Sequence, residues 1–98
     1  MIKIGIIGMG YWGPNLYRNF DSNKDFLVKY ICDRDLKVLN KISVSKEYTL
    51  KVNNYKKIIN DSDIQAIVIA TPVSTHYSLA KECLEAGKNI FVEKPLAD

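Results

Sequence analysis

The amino-acid sequence predicts an α/β fold, a three-layer arrangement around a doubly wound parallel sheet of about five strands in the order 3-2-1-4-5. Short apolar runs alternate with segments of helical periodicity along the whole chain. The runs are nearly continuous in their apolar character, which is typical of strands buried on both faces of a parallel sheet. A glycine-rich turn directly follows the first run, where a strand-to-helix connection is expected.

The predicted strands are short apolar segments bounded by turn residues, and the fourth of them is the strongest such signal in the chain. They span residues 2–7, 26–32, 47–50, 64–70 and 89–92. Because helical segments separate all five, right-handed crossovers and a parallel sheet are expected. We find no repeat, linker or low-complexity tract, so residues 1–98 are predicted to form one domain.

Four predicted helices connect the strands, and each places apolar residues at helical spacing. Pro14 suits the first turn of a helix over 14–19, Asn53 or Asn54 opens the third helix, and Ser74 or Thr75 opens the fourth. Gly87 is expected to end the fourth helix in a left-handed conformation. The apolar positions of the first three helices are Leu16, Tyr17, Phe20, Leu36, Leu39, Ile42, Tyr55, Ile58 and Ile59. In the fourth helix, Leu79, Ala80, Cys83 and Leu84 are expected to be buried.

Composition excludes several classes of protein. The net charge of +3 comes without a run of Lys or Arg, which argues against nucleic acid as a partner. No apolar stretch is long enough to span a bilayer. Cys32 and Cys83 lie far apart without flanking His, so they predict two reduced, buried thiols in a cytoplasmic protein and no metal site.

The glycine-rich turn has the pattern GxGxxG at residues 8–13. In this pattern Gly8 permits a tight turn, Gly10 lets the backbone approach a pyrophosphate, and Gly13 allows close packing of helix on sheet. The helix that follows offers free N–H groups and a partial positive charge to phosphates. A P-loop is excluded because no Gly-Lys-Ser/Thr follows. The turn and its context therefore predict a dinucleotide-binding Rossmann domain.

An acid ends the second strand about 20 residues beyond the last glycine, at the usual distance for a ribose-binding carboxylate. Asp33 can accept hydrogen bonds from both adenosine ribose hydroxyls and would repel a 2′-phosphate, which predicts NAD rather than NADP. The alternative is a solvated acid that caps the next helix. Arg34 either lies over the adenine or pairs with a 2′-phosphate, and the sequence leaves both roles open.

Two further motifs follow the fourth and fifth strands, at the carboxyl edge where open α/β sheets bind ligands. They are TPxxxH at residues 71–76, preceded by Ala70, and the tripeptide Glu93-Lys94-Pro95. With these motifs, the chain resembles the glucose–fructose oxidoreductase / inositol dehydrogenase / MocA-like family over essentially its whole length. The tripeptide combined with TPxxxH is the most specific part of that resemblance.

The resemblance implies hydride transfer between a nicotinamide cofactor, NAD, and a hydroxyl carbon of a sugar, nucleotide sugar or cyclitol. It implies a catalytic role for Lys94, which would reach the nicotinamide ribose and the substrate hydroxyl. Cofactor-binding residues inferred from the motifs and the resemblance together are Gly8, Met9, Gly10, Tyr11, Trp12, Gly13, Asp33, Arg34, Ala70, Thr71, Pro72, His76, Glu93, Lys94 and Pro95.

The family's members continue into a C-terminal domain that supplies most substrate contacts. We therefore expect the chain to be the cofactor domain of a longer oxidoreductase, which as a full-length parent can be a homo-oligomer, and expect the domain alone to bind cofactor without turnover. A non-catalytic NAD-sensing module and an interaction domain with structural glycines are the alternatives. His76 either lines the cofactor site or bonds to its own loop, and Tyr11 and Trp12 either cover the phosphate loop or await another domain.

Overall fold

A five-stranded parallel sheet forms the centre of the structure, in the strand order β3-β2-β1-β4-β5 that the sequence predicts. The computed structural model describes residues 1–92. All four strand pairs are parallel, which requires a crossover helix between successive strands. The elements are β1 (Ile2–Ile7), α1 (Gly13–Asp21), β2 (Phe26–Cys32), α2 (Leu36–Asn40), β3 (Leu50–Val52), α3 (Lys56–Ile59), β4 (Ala66–Ile69), α4 (Val73–Glu85) and β5 (Asn89–Val92).

Neighbouring residues of the central strands supply two hydrophobic cores, one on each face of the sheet. On β1, Ile4 and Ile6 pack in the core that includes Tyr17 of α1, whereas Ile7 packs in the core that includes Ile58 of α3. Strand β4 divides in the same way, with Ala66 and Val68 in the first core and Ile67 and Ile69 in the second. The apolar runs are therefore buried on both faces, as predicted.

The third strand lies later in the chain than predicted. It is Leu50–Val52 rather than 47–50, and it pairs with the end of β2 from Tyr30 onward. The residues before it form a turn in which the Thr49 N–H donates to the Lys46 carbonyl at 3.2 Å. The buried Thr49 hydroxyl donates to the Val28 carbonyl at 2.7 Å. Pairing with β2 determines where this strand starts, and local apolar character does not.

Helix boundaries also depart from the predictions. Helix α4 begins at Val73, before Ser74 or Thr75, and α2 ends at Asn40, so Ile42 lies beyond it. The prediction that Leu84 is buried is wrong, because its side chain is 58% exposed. Leu79 and Cys83, four residues apart, share the buried face of α4, whereas Leu84 follows Cys83 by about 100° around the helix.

Polar residues at the helix ends make the expected local contacts. Asn54 accepts a hydrogen bond from the Lys56 N–H at 3.0 Å, although the N-cap position of α3 is Tyr55. Gly87 follows α4 with a φ of +79°. The residue that caps α2 is Asp35, whose carboxylate accepts from the Lys37 N–H at 2.9 Å. Asp33 is therefore not the cap of that helix.

The two cysteines are free and buried, as predicted. Burial raises the pKa of the Cys32 thiol to about 12 and that of Cys83 to about 11, which keeps both protonated near neutral pH. None of the helices in residues 1–92 has both the length and the apolar character that a bilayer-spanning helix requires.

A polar network ties β2 to the turn before β4. Asp61 accepts hydrogen bonds from the Lys29 ammonium at 2.6 Å and the Tyr30 hydroxyl at 2.7 Å. The buried Lys88 ammonium donates to the carbonyls of Asp61 and Ile64, at 2.7 and 2.8 Å. The bonds from Lys29 and Tyr30 lower the pKa of Asp61 to about 2.

Asp61→Asn is expected to make the free energy of unfolding depend less on pH between about pH 2 and pH 4. This low-pH part of the stability profile is its acid limb. The folded pKa of Asp61 lies below its ordinary value of 3.8, so its stabilising contribution is complete above about pH 4 and is lost as pH falls toward about 2. Urea unfolding measured at pH 2 to 6 checks this. Asp63→Asn is the control, because that carboxylate is 48% exposed and should change the profile less. Equal acid limbs for Asp61→Asn and the unsubstituted chain would contradict the assignment.

Candidate cofactor site

A cavity of about 620 Å³ opens at the carboxyl edge of the sheet, where β1, β2 and β4 end beside α4. Ligands of open parallel sheets bind at this edge because the loops after the strands converge there. Nine of the sequence-predicted residues line the cavity: Gly8, Gly10, Tyr11, Trp12, Asp33, Arg34, Ala70, Thr71 and Pro72. The fold therefore brings the glycine turn, the β2 acid and the Thr-Pro motif together.

The three glycines of the turn meet three different requirements. Gly8 has a φ of +102°, and a Cβ there would lie 2.8 Å from the Ala70 carbonyl carbon. A Cβ on Gly13 would lie 1.9 Å from the Gly8 carbonyl oxygen, so only glycine fits between α1 and the turn. No described atom lies within 4 Å of a Cβ built on Gly10, which borders the cavity. Gly8 and Gly13 shape the turn, and Gly10 leaves its backbone accessible.

The start of α1 presents unpaired backbone donors at this turn. Within residues 1–92, no acceptor bonds the backbone N–H groups of Gly10, Tyr11, Trp12 or Gly13. Pro14, in the first helical turn, has no N–H to satisfy. Unpaired N–H groups together with the positive end of a helix dipole form an anion site that suits a pyrophosphate.

Asp33 connects β2 to the glycine turn. Its Oδ2 accepts from the Met9 N–H at 2.9 Å and its Oδ1 from the Asp35 N–H at 2.8 Å. Each carboxylate oxygen still has a free lone pair for a further donor. Because two backbone groups hold the carboxylate, Asp33 presents a fixed negative charge at the cavity wall.

Three of the predicted cofactor residues that the structure describes, Met9, Gly13 and His76, are not among the cavity-lining residues. The Met9 side chain is buried in the core with Ile4 and Ile6, and its N–H is bonded to Asp33. His76 Nε2 lies 2.6 Å from the Thr71 carbonyl oxygen, so this imidazole contacts its own loop. Cofactor contact by either side chain stays a prediction.

The aromatic residues of the turn form a pair at the mouth of the cavity. The rings of Tyr11 and Trp12 meet edge to face, with centroids 4.7 Å apart. Tyr11 is 78% exposed and Trp12 is half-buried. Their rings therefore contact each other beside the glycine turn and leave the Gly10 backbone uncovered.

Several polar residues of the cavity wall were missed by the sequence reasoning. Asn53 and Tyr55 follow β3, and α4 contributes Ser74, Ser78 and Glu82. The three α4 residues are four apart in sequence and therefore share one face of the helix. That spacing was the only available signal, and it is also typical of an ordinary solvated face.

The Glu93-Lys94-Pro95 motif lies outside the described residues and directly follows β5 in sequence. Within residues 1–92, no three His, Cys, Asp or Glu side chains lie close enough to hold a metal ion.

Comparison with protein families decides the assignment. Residues 2–98 match the model of the oxidoreductase family with an NAD-binding Rossmann fold, the Gfo/Idh/MocA family. The chain belongs to this family. The structure and the match together establish an NAD(P)-binding fold of the kind that the glycine turn predicts.

Individual relatives align with nearly all of the chain. A glycosyl hydrolase family 109 protein from Shewanella pealeana is 32% identical over 98% of the chain and 23% of its own length. The uncharacterized oxidoreductase YdgJ from Escherichia coli is 37% identical, over 96% of the chain and 27% of its own length.

A solved structure aligns equally well. The scyllo-inositol dehydrogenase from Lactobacillus casei, solved with NAD(H) and scyllo-inositol, superimposes with a TM-score of 0.82 at 28% identity. That alignment covers 97% of this chain and 28% of the dehydrogenase. The chain thus spans about a quarter of the length of these relatives.

Proposed function

We propose that this chain is the cofactor domain of an oxidoreductase that transfers hydride between NAD and a hydroxyl carbon of a sugar, nucleotide sugar or cyclitol. The proposal rests on one observation. The glycine turn with its unpaired N–H groups and Asp33 with its fixed carboxylate line the same cavity. The turn follows β1 and Asp33 follows β2, so a pyrophosphate and its adenosine ribose would lie above adjacent strands.

Different residues at the cavity would bind different parts of the cofactor. The Gly10 backbone and the N-terminal end of α1 would bind the pyrophosphate, because unpaired N–H groups there face no protein acceptor within residues 1–92. Asp33 would accept hydrogen bonds from the ribose hydroxyls. The bound nicotinamide accepts or releases a hydride, and the protein contributes its binding and orientation.

Lys94 is the proposed catalytic residue, on the strength of the family resemblance and its place directly after β5 in the sequence. The carboxyl end of β5 lies beside that of β4, whose loop carries Thr71 at the cavity. A lysine at this edge can hydrogen-bond a substrate hydroxyl and exchange a proton with it. Oxidation of sugars or cyclitols with NAD, tested on a longer parent protein, separates this proposal from an NAD-sensing module.

NAD is expected to bind the chain about 10-fold to 100-fold more tightly than NADP, because a 2′-phosphate would face the Asp33 carboxylate, which two backbone N–H groups prevent from turning away. Arg34 opposes this preference, since a guanidinium pairs with phosphate, but its exposed side chain is free to remain in solvent. Asp33→Ala should weaken NAD binding and narrow the preference. Calorimetric titration of both cofactors at one ionic strength measures this.

The matched control for this titration is Asp35→Ala, two residues along the chain. Asp35 caps α2 and is not among the cavity-lining residues, so this change should reduce stability by about 1 kcal/mol and keep the cofactor preference. Tighter binding of NADP than of NAD by the unsubstituted chain would overturn the role given to Asp33. Binding of neither cofactor would overturn the proposed function.

A further inference from the structure

One polar pair of the cavity wall lies outside the dinucleotide motifs. Tyr55 follows β3 and Glu82 lies on α4, and both half-buried side chains line the same cavity as the glycine turn. The Tyr55 hydroxyl donates to Glu82 Oε2 at 2.5 Å. Within residues 1–92, Glu82 Oε1 has no hydrogen-bond partner. The pair thus presents a carboxylate with free acceptor capacity on the cavity wall.

The order of the strands relates this pair to the rest of the site. Along the carboxyl edge, the glycine turn follows β1, Asp33 follows β2, and Asn53 and Tyr55 follow β3. These three strands are neighbours in the sheet. A dinucleotide with its pyrophosphate at the turn and its ribose at Asp33 therefore extends its base toward the segment that carries Tyr55.

Helix α4 forms the opposite wall of this end of the cavity. Ser74, Ser78 and Glu82 all line the cavity and lie on one face of the helix, over about 12 Å of its axis. Because α4 connects the carboxyl end of β4 to the start of the parallel strand β5, this row leads inward from the carboxyl edge of the sheet. The hydrogen bond between Tyr55 and Glu82 joins the two walls at the end of this row.

We propose that the Tyr55–Glu82 pair recognises the 6-amino group of the adenine base, an inference that rests on the proposed function. An ionised carboxylate only accepts hydrogen bonds, and the 6-amino group of adenine is a donor. Hypoxanthine has an oxo group at the same position and would face the carboxylate with a second acceptor. By donating to Oε2, Tyr55 holds the carboxylate in place and leaves Oε1 for the base.

The test compares NAD with nicotinamide hypoxanthine dinucleotide, which differs from NAD at this position of the purine. The unsubstituted chain should bind NAD about 10-fold or more tightly than the hypoxanthine analogue. Glu82→Gln should bring the two affinities within about 3-fold, because its amide can donate to the oxo group. Tyr55→Phe should reduce the discrimination in part. Calorimetry gives the ratios, and circular dichroism checks that each variant is folded.

Glu85→Gln is the matched control, because Glu85 lies on the same helix, is exposed and is not among the cavity-lining residues. It should keep the discrimination of the unsubstituted chain. The chain can bind NAD and still contradict this inference. If the affinity for NAD relative to the hypoxanthine analogue is the same in the unsubstituted chain and in Glu82→Gln, this inference is overturned and the proposed function stands. Binding of neither dinucleotide by the folded chain would overturn both.

Discussion

Gly13→Ala is expected to destabilise the fold by about 3 kcal/mol or more, a large part of the stability of a domain of this size. The added Cβ would lie 1.9 Å from the Gly8 carbonyl oxygen and 2.8 Å from the Gly8 carbonyl carbon. Both are backbone atoms, so no side-chain rotation relieves the clash. Gly8 is itself held by its N–H bond to the Cys32 carbonyl at 2.7 Å. The clash can then be relieved only if α1 moves away from the turn, and that movement would expose the core around Tyr17.

Urea unfolding measures this loss, with Gly10→Ala as the control in the same turn. A Cβ on Gly10 meets no described atom within 4 Å and Gly10 lacks a positive φ, so its midpoint should change little. A Gly13→Ala midpoint equal to that of the unsubstituted chain would show that α1 does not pack against the turn as described.

Gly10→Val is expected to abolish NAD binding and to leave the fold intact. No described atom lies within 4 Å of the new Cβ, so the free energy of unfolding should change by about 0.5 kcal/mol or less. The branched side chain would project into the cavity beside the unpaired N–H groups, where the pyrophosphate is proposed to lie. Exclusion of the phosphates from these donors should weaken NAD binding at least about 100-fold.

Thermal unfolding with and without NAD checks this expectation. The unsubstituted chain should gain about 2.7 kcal/mol when NAD is present at a hundredfold excess over its Kd, and Gly10→Val should gain nothing at that concentration. Ser45→Ala is a control away from the cavity lining and should keep the full gain. An unchanged gain in folded Gly10→Val would place the cofactor elsewhere. The contrast with Gly13→Ala separates a glycine needed for packing from one needed for access.

The sequence alone predicts the glycine pattern, the alternation of strands and helices, and the acid after β2. Each of these features depends only on residues that are close together in the chain. A positive φ at Gly8, the nearly continuous apolar run of β1 and an N-terminal proline in α1 are local properties of backbone and side chain. The same reasoning predicted the strand order, since right-handed crossovers leave few arrangements for alternating strands and helices.

Which residues of a helix or strand are buried depends on contacts with residues that are far away in the sequence. Local apolar character placed β3 too early, because pairing with β2 selects Leu50–Val52 and Thr49 uses its hydroxyl to close the turn before it. Leu84 continues an apolar pattern in sequence yet is exposed, because α4 has only one face against the sheet. Periodicity identifies a helix, and the packing partner selects which of its faces is buried.

The sequence by itself determined the fold class, the glycine turn and the acid that accompanies it, because these follow from backbone conformation and short-range spacing. Only the tertiary structure decided that Asp33 is held by the Met9 N–H, that His76 contacts its own loop, and that Tyr55 and Glu82 meet across the cavity. Each of these contacts depends on how packed elements orient their side chains. Tyr55 and Glu82 are 27 residues apart in the chain, and no local sequence pattern indicates that they are in contact.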